Sequence, residues 1–374
     1  MFLKLQTKLM CAVLLLMAVV LTNCMGKPAK KAPEMPYSVG VIDSSNDRTT
    51  YLYLFDENLK ETDTLRCPYR GVGSFSHTPM QMEGGVVYEQ WAGSTIHPNK
   101  CAVAAMDLET GEWKDYSFEG VGSINDFRVN EHGIFALSSV LDTAVDYYSF
   151  ADGENTTVKV KDASGAFAVS VDGYDVYFIA GEMRGTAEDV EAAYLADENM
   201  EEEKTFLYHV NVKEQSQEKL LDVTKELGEN VLDYTQWYEG KMYIPNDKYL
   251  CVYDPEKNEL YQIPLPCKGE DEEAYQIHVD AAKLYIVAGD YRNDGETDIY
   301  QFNPETEDIE LSYHVEEAVM QSCVKDGIFY LLQQEPAKVC KYELSPDGTC
   351  RKLAEAVIDA ETDSGHMISD MFVK

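Results

Sequence analysis

"YLCVYDPEKNELYQIPL", residues Tyr249 to Leu265, decides how the whole chain is read. Apolar and polar residues alternate on both sides of a short turn led by Asp254, the pattern of two antiparallel strands joined by a hairpin. The pattern keeps returning. It precedes this stretch as "YLYLFDENLKETDTL" at Asp56, "AVAAMDLETGEWKDY" at Asp107, "VDYYSFADGENTTVKV" at Asp152 and "FLYHVNVKEQSQEKLL" at Asn211. It follows as "DIYQFNPETEDIELSY" at Asn303 and "KVCKYELSPDGTCRKL" at Glu343. A short acceptor at a strand end can take the backbone N–H groups just ahead of it and start a tight turn. These seven residues are therefore read as turn formers and not as catalytic acids.

Between the copies lies a second hairpin with its own signature: "MQMEGGVVYEQW", "FRVNEHGIFALSS", "VSVDGYDVYFIAG", "YTQWYEGKMYIPN", "IHVDAAKLYIVAG" and "SCVKDGIFYLLQQ". Each has a short alternating strand, a polar turn, usually with Gly, and an apolar strand centred on an aromatic residue. Two such hairpins in succession make one four-stranded antiparallel blade, and the copies recur every 40 to 59 residues, a period typical of propeller blades. Six blades are complete from about Ser76 to Ala356. The remainder is an outer hairpin near the start, within "YSVGVIDSSNDRTTYLYLFDENLKETDTLRCP", and a lone strand at the end, "HMISDMFVK". Together they supply a seventh blade, which closes the ring and leaves no open sheet edge. The fold expected is an all-β, seven-bladed β-propeller over residues 37–374.

The repeats resemble those of secreted bacterial β-propellers. "AMDLETGEW" looks like the Asp-x-x-Thr-Gly turn of quinoprotein-type repeats, and "VYDPEKNEL" resembles kelch and YVTN-type repeats. The likeness covers nearly all of 37–374 and implies the fold alone. The quinone and calcium site of the related dehydrogenases has no counterpart in the sequence, so no cofactor and no such activity is expected.

The formal charge is −36, from 67 acidic against 31 basic residues, which repels phosphate backbones and sets nucleic acid aside as a partner. At the N-terminus, Lys4 and Lys8 precede an apolar run from Leu9 to Leu21, too short for a comfortable membrane span but suited to a secretory signal. The run ends at "LTNC". That resembles the lipobox of bacterial lipoproteins, although Asn23 stands where the family has a small residue. Residues 1–24 are read as a lipoprotein-type signal with Cys24 as the lipidated residue, and 25–36 as a Lys/Pro/Ala tether. The resemblance implies an extracytoplasmic protein of the bacterial cell envelope, held to the membrane by lipid. Seven further cysteines are dispersed without CxxC spacing, so neither a disulfide framework nor a zinc site is expected. One segment breaks the period: "EMRGTAEDVEAAYLADENMEEEK", Glu182 to Lys204, reads as a short acidic helix inserted in a blade.

Chemical signatures are sparse. The seven histidines lack HxxxH or HxH spacing, and there is no GxSxG elbow and no P-loop. "DYRNDGETD", Asp290 to Asp298, has carboxylates around a glycine, but Arg292 stands where a calcium loop needs an oxygen ligand and Gln301 where it needs a glutamate. No metal is expected. What remains is the innermost strand of each blade. Aligned on their last apolar residues (Met82, Val129, Val171, Trp237, Val279, Val324, Val373), these strands carry polar groups at the opposite parity. Gln81, Asp126, Arg128, Tyr234, Gln236, Gln276, His278, Gln321 and Asp370 are therefore the candidate ligand-binding residues of a wet central channel. The functional expectation is a monomeric binding or scaffold module for a protein, peptide or glycan, without catalysis. Two alternatives stay open: a hydrolase or lyase acting on an extracellular polymer, using Asp126, Arg128, His278 and Asp370, and a ligand sensor for a membrane partner.

Overall fold

The computed structural model describes residues 36–45, 49–73, 79–91, 102–118, 124–139, 143–182, 204–227, 234–246, 248–266, 274–289, 295–359 and 366–374. They form seven four-stranded antiparallel sheets arranged in a ring. Blades II to VII are continuous in sequence (81–117, 124–160, 163–222, 236–264, 274–315 and 321–357), and each runs from its innermost strand outward. Blade I is composite. Its outer three strands are Val39–Ser44, Tyr51–Phe55 and Glu61–Arg66, and its innermost strand is the C-terminal Met367–Val373.

The clasp has a defined register. Val39 pairs with Val373, Gly40 with Phe372, Val41 with Met371 and Ile42 with Asp370; Asp43 and Ser44 follow with Ile368 and Met367 after a bulge. Gly40 is needed because the Phe372 ring lies across it: a Cβ there would come within 2.2 Å of a ring carbon. Phe372 in turn packs into the apolar cluster that joins blade I to blade II, with Leu52, Leu54, Val87, Ala104 and Met106. Seven such clusters of described residues exist, one at each junction between neighbouring blades. Period-two apolar faces on every sheet supply them. Tyrosine contributes its rings: Tyr208, Tyr253 and Tyr300 are among the largest fully buried side chains.

Six of the seven expected turn formers do that work. Asp56 Oδ1 accepts from the amides of Asn58 and Lys60, and Asp107 Oδ1 from Glu109 and Thr110. Asp152 accepts from Glu154, Asn211 from Lys213 and Glu214, Asp254 from Glu256 and Lys257, and Asn303 from Glu305 and Thr306. Glu343 does not. It sits within its strand and pairs with Arg351, while Asp347 takes the Thr349 amide in a turn completed by Gly348 at φ +83°.

The lipobox with Cys24, the tether up to residue 35, and 183–203 of the expected helical insertion lie outside the described residues. Among those described there is one short helix, α1 (Thr224–Leu227), and no helix long and apolar enough to cross a membrane. The described cysteines (Cys67, Cys251, Cys323, Cys340 and Cys350) are free thiols.

Candidate binding channel

The innermost strands surround a central channel of about 470 Å³, within the range of roughly 300–1,000 Å³ usual for small-molecule sites. The residue just before the aligned apolar position lines it in every blade: Gln81, Arg128, Ser170, Gln236, His278, Cys323 and Phe372. Tyr234 and Gln321 line it as well. Of the nine predicted residues, six therefore face the channel. Asp126, Gln276 and Asp370 do not. All three are buried and turn sideways toward the next blade.

Their turning has a local cause. In blades III, VI and I the innermost strand slips register by one residue immediately before Asp126, Gln276 and Asp370. A bulge re-aims the side chain that follows it. Asp126 Oδ2 then accepts from Val169 N at 2.8 Å, Asp370 Oδ2 from Met80 N at 2.8 Å, and Gln276 Oε1 from Ser322 N at 2.6 Å. In each case the amide belongs to the adjacent blade, two residues before that blade's own aligned position. This is one clamp used three times. Blades IV and V are joined differently, by Thr235 Oγ1 donating to Val169 O at 2.8 Å and Ser170 Oγ donating to Thr235 Oγ1 at 2.9 Å.

Asp370 is the most connected group. It also accepts from its neighbour Met371 N at 2.6 Å and from Gln321 Nε2 at 2.8 Å, and Gln321 Oε1 takes the phenol of Tyr234 at 3.4 Å. Behind it stands Glu89, whose carboxyl hydrogen-bonds that of Asp370. Burial, then the Asp370 charge, push Glu89 well above the carboxylate range, so Glu89 holds the shared proton. Burial also lifts Asp370 to about 6, against the hydrogen bonds it accepts. Sequence reading missed Glu89, yet a signal was present: it is a carboxylate in the middle of the apolar strand "VVYEQW".

On the opposite wall His278 Nε2 lies 2.7 Å from Ser322 Oγ, which is itself 2.5 Å from Gln276 Oε1. Two oxygens at that distance need a proton between them, so Ser322 donates to Gln276, and His278 donates to Ser322 from Nε2. Its Nδ1 is then a bare acceptor. Burial pushes the imidazole down to about 4 and keeps it neutral. A nucleophilic serine would need the reverse polarity, with its proton given to the histidine. Cys323, next along the strand, is held protonated because burial pushes its thiol up to about 12.

Among the described residues the wall mixes amides, hydroxyls, the Arg128 guanidinium and the neutral His278 imidazole with apolar side chains such as Met80, Val129, Ile277 and Val324, and with the indole of Trp237, which stacks on Tyr177 at 4.8 Å and 14°. No aspartate or glutamate is among the described residues that line it, in a chain of net charge −36. Among the described residues no group of three or more His, Cys, Asp or Glu is placed to hold a metal.

Fold and channel define a seven-bladed β-propeller with an axial site that is part apolar and part hydrogen-bonding. No family model matches the sequence, and none of the curated proteins compared with it matches either. Solved structures do. A protein from Lactobacillus plantarum is 10% identical, with 90% of this chain and 99% of that one covered at a TM-score of 0.55. A protein from Bacteroides uniformis, provisionally assigned as a 6-phosphogluconolactonase, is 11% identical over 87% of this chain and 98% of that one (TM-score 0.56). Apo AztD from Citrobacter koseri is 12% identical over 88% and 84%, respectively (TM-score 0.52). At these identities the likeness is one of fold.

Proposed function

We propose that this protein is a lipid-anchored, extracytoplasmic binding module that holds a small ligand, or the end of a glycan or peptide, in its axial channel without turning it over. One observation carries the reading. Asp126 and Asp370, the acids a channel-mouth hydrolase or lyase would need, are used as clamps between blades, and among the described residues the wall they leave behind has no carboxylate. General acid–base chemistry needs a titratable group within reach of the substrate. His278, neutral and engaged with Ser322, is the sole imidazole among the described residues that line the channel. The membrane tie rests on the lipobox-like "LTNC" and the Lys/Pro/Ala tether behind it.

Calorimetry on the full chain in detergent, against defined oligosaccharides and short peptides, tests the binding claim. The expected result is saturable binding that Ser170→Trp abolishes with the β-sheet circular dichroism unchanged, and that Gln81→Trp, at a half-buried lining position, weakens as well, with mass spectrometry recovering the ligand unchanged. Conversion of the ligand would overturn it. The anchor is tested separately: Cys24→Ser should move the protein out of the membrane fraction and remove incorporation of labelled fatty acid.

A further inference from the structure

The guanidinium of Arg128 is held by one end only. Nη1 spends both hydrogens, one on Asp126 Oδ1 at 2.5 Å and one on the carbonyl of Phe127 at 2.7 Å. Nε and Nη2 have no partner among the described residues, and they form the edge whose parallel N–H bonds match the two oxygens of a carboxylate. The side chain is only 11% exposed and lines the channel, so this edge is a donor pair that faces the channel space. Blade VI stands three steps round the ring, nearly opposite blade III. From there His278 offers the bare Nδ1 deduced above, an acceptor for a ligand hydroxyl or for water. Gln81 and Gln236 each donate one amide N–H to a backbone carbonyl, Pro79 and Trp237 respectively, which fixes their amides and leaves the amide oxygens as further acceptors beside one remaining N–H each. Trp237, backed by Tyr177, gives the channel a fixed apolar surface.

Resting on the channel-binding reading, we infer that the ligand is a hydroxylated carboxylate, a sugar acid in its simplest form. Its carboxylate sits on the Nε–Nη2 edge of Arg128, and its hydroxyls donate to His278 Nδ1 and the channel amides. A carboxylate suits the site better than a phosphate. Arg128 already pairs with Asp126, so an incoming carboxylate adds one uncompensated negative charge and a phosphate dianion two, in a protein of net charge −36. Among the described residues no carboxylate lines the channel to repel an acid ligand at contact.

The test is calorimetry on the full chain with short uronic-acid oligosaccharides, the same oligosaccharides as methyl esters, their neutral parents and a phosphorylated sugar. The free acids should bind at least about tenfold more tightly than the esters and neutral parents, the scale of one charge-assisted hydrogen bond. Arg128→Gln should erase that preference. Arg128→Lys, which keeps a cation for Asp126 and so guards against misfolding, should leave only part of it. Equal affinity for acid and ester, tighter binding of the phosphorylated sugar, or a preference that survives Arg128→Gln would overturn the inference. Neutral sugars or peptides that bind and are blocked by Ser170→Trp would overturn the carboxylate while leaving the binding module standing. No binding by any of this panel or by the short peptides would overturn both.

Discussion

Glu89 and Asp370 meet where blade II joins the clasp, and their shared proton couples the fold to pH. In the unfolded chain both carboxyls release protons near about 4. In the folded chain both are pushed up, so the native state keeps protons that the unfolded state has lost. The stability this contributes is fully present at low pH and falls as pH rises from about 4 through the folded values. Glu89→Gln keeps a donor toward Asp370 but has nothing to release. Its unfolding free energy, followed by urea titration between pH 5 and 8, should decline less steeply than that of the parent, by up to about one proton in the linkage slope. An unchanged slope would show that the pair does not share a proton. Asp126 gives a second single-residue prediction. Asp126→Ala strands the buried Val169 amide and the Arg128 charge, and should cost about 3–5 kcal/mol. Asp126→Asn, whose oxygen still accepts, should cost clearly less.

At the scale of strands, Gly40 and Phe372 make the clasp close-packed. Gly40→Ala places a methyl group against the Phe372 ring, and since that ring is 3% exposed it has nowhere to go. Overpacking of this kind costs about 1–3 kcal/mol. Phe372→Leu should offset part of it in the double variant, a coupling that a double-mutant cycle would measure. The strands themselves were legible in the sequence because one face of each is buried and the alternation is strict, as in "YLCVYD". The turns were legible wherever an acid or amide stood at the strand end, and failed at Glu343, where "SPDG" moved the turn four residues on to Asp347. Channel residues were legible only by parity. Parity places Arg128 and His278 correctly, but it cannot reveal the one-residue bulges that turn Asp126, Gln276 and Asp370 aside. A bulge leaves the apolar–polar order of the letters untouched, so those three looked the same as true lining residues. Ser322 and Glu89 were missed because a serine among apolar residues and a lone strand glutamate have many bland explanations.

For the molecule as a whole, the decisive feature is that no blade buries its apolar faces alone. Each of the seven clusters is shared between two blades. A ring built so is cooperative, and its weakest place is the junction where the polypeptide is not continuous. Between blades II and VII every junction is spanned by a covalent connection. At blade I the chain ends instead overlap: six residue pairs join Met367–Val373 to Val39–Ser44, and the C-terminal Lys374 amide reaches Ser38 O at 2.8 Å. Opening the ring at this point means breaking a ladder of backbone hydrogen bonds together, which is slow. Moving the last strand to the front of the chain, by fusing 366–374 ahead of Tyr37 through a short Gly/Ser loop, would preserve the strand pairing of the native ring and the His366–Asp43 contact. It would, however, make blade I continuous and leave blades VII and I joined only by side chains such as Tyr330, Leu332 and Val41 and by the Gln321–Asp370 bond. The rearranged chain should therefore fold to the same structure, bind the same ligands, and unfold faster in guanidinium, with the change concentrated in the unfolding limb because the clasp is among the last contacts to form. If stopped-flow unfolding rates proved equal, the overlap of the termini would not be what holds the ring shut, and its stability would have to come from the interblade clusters alone.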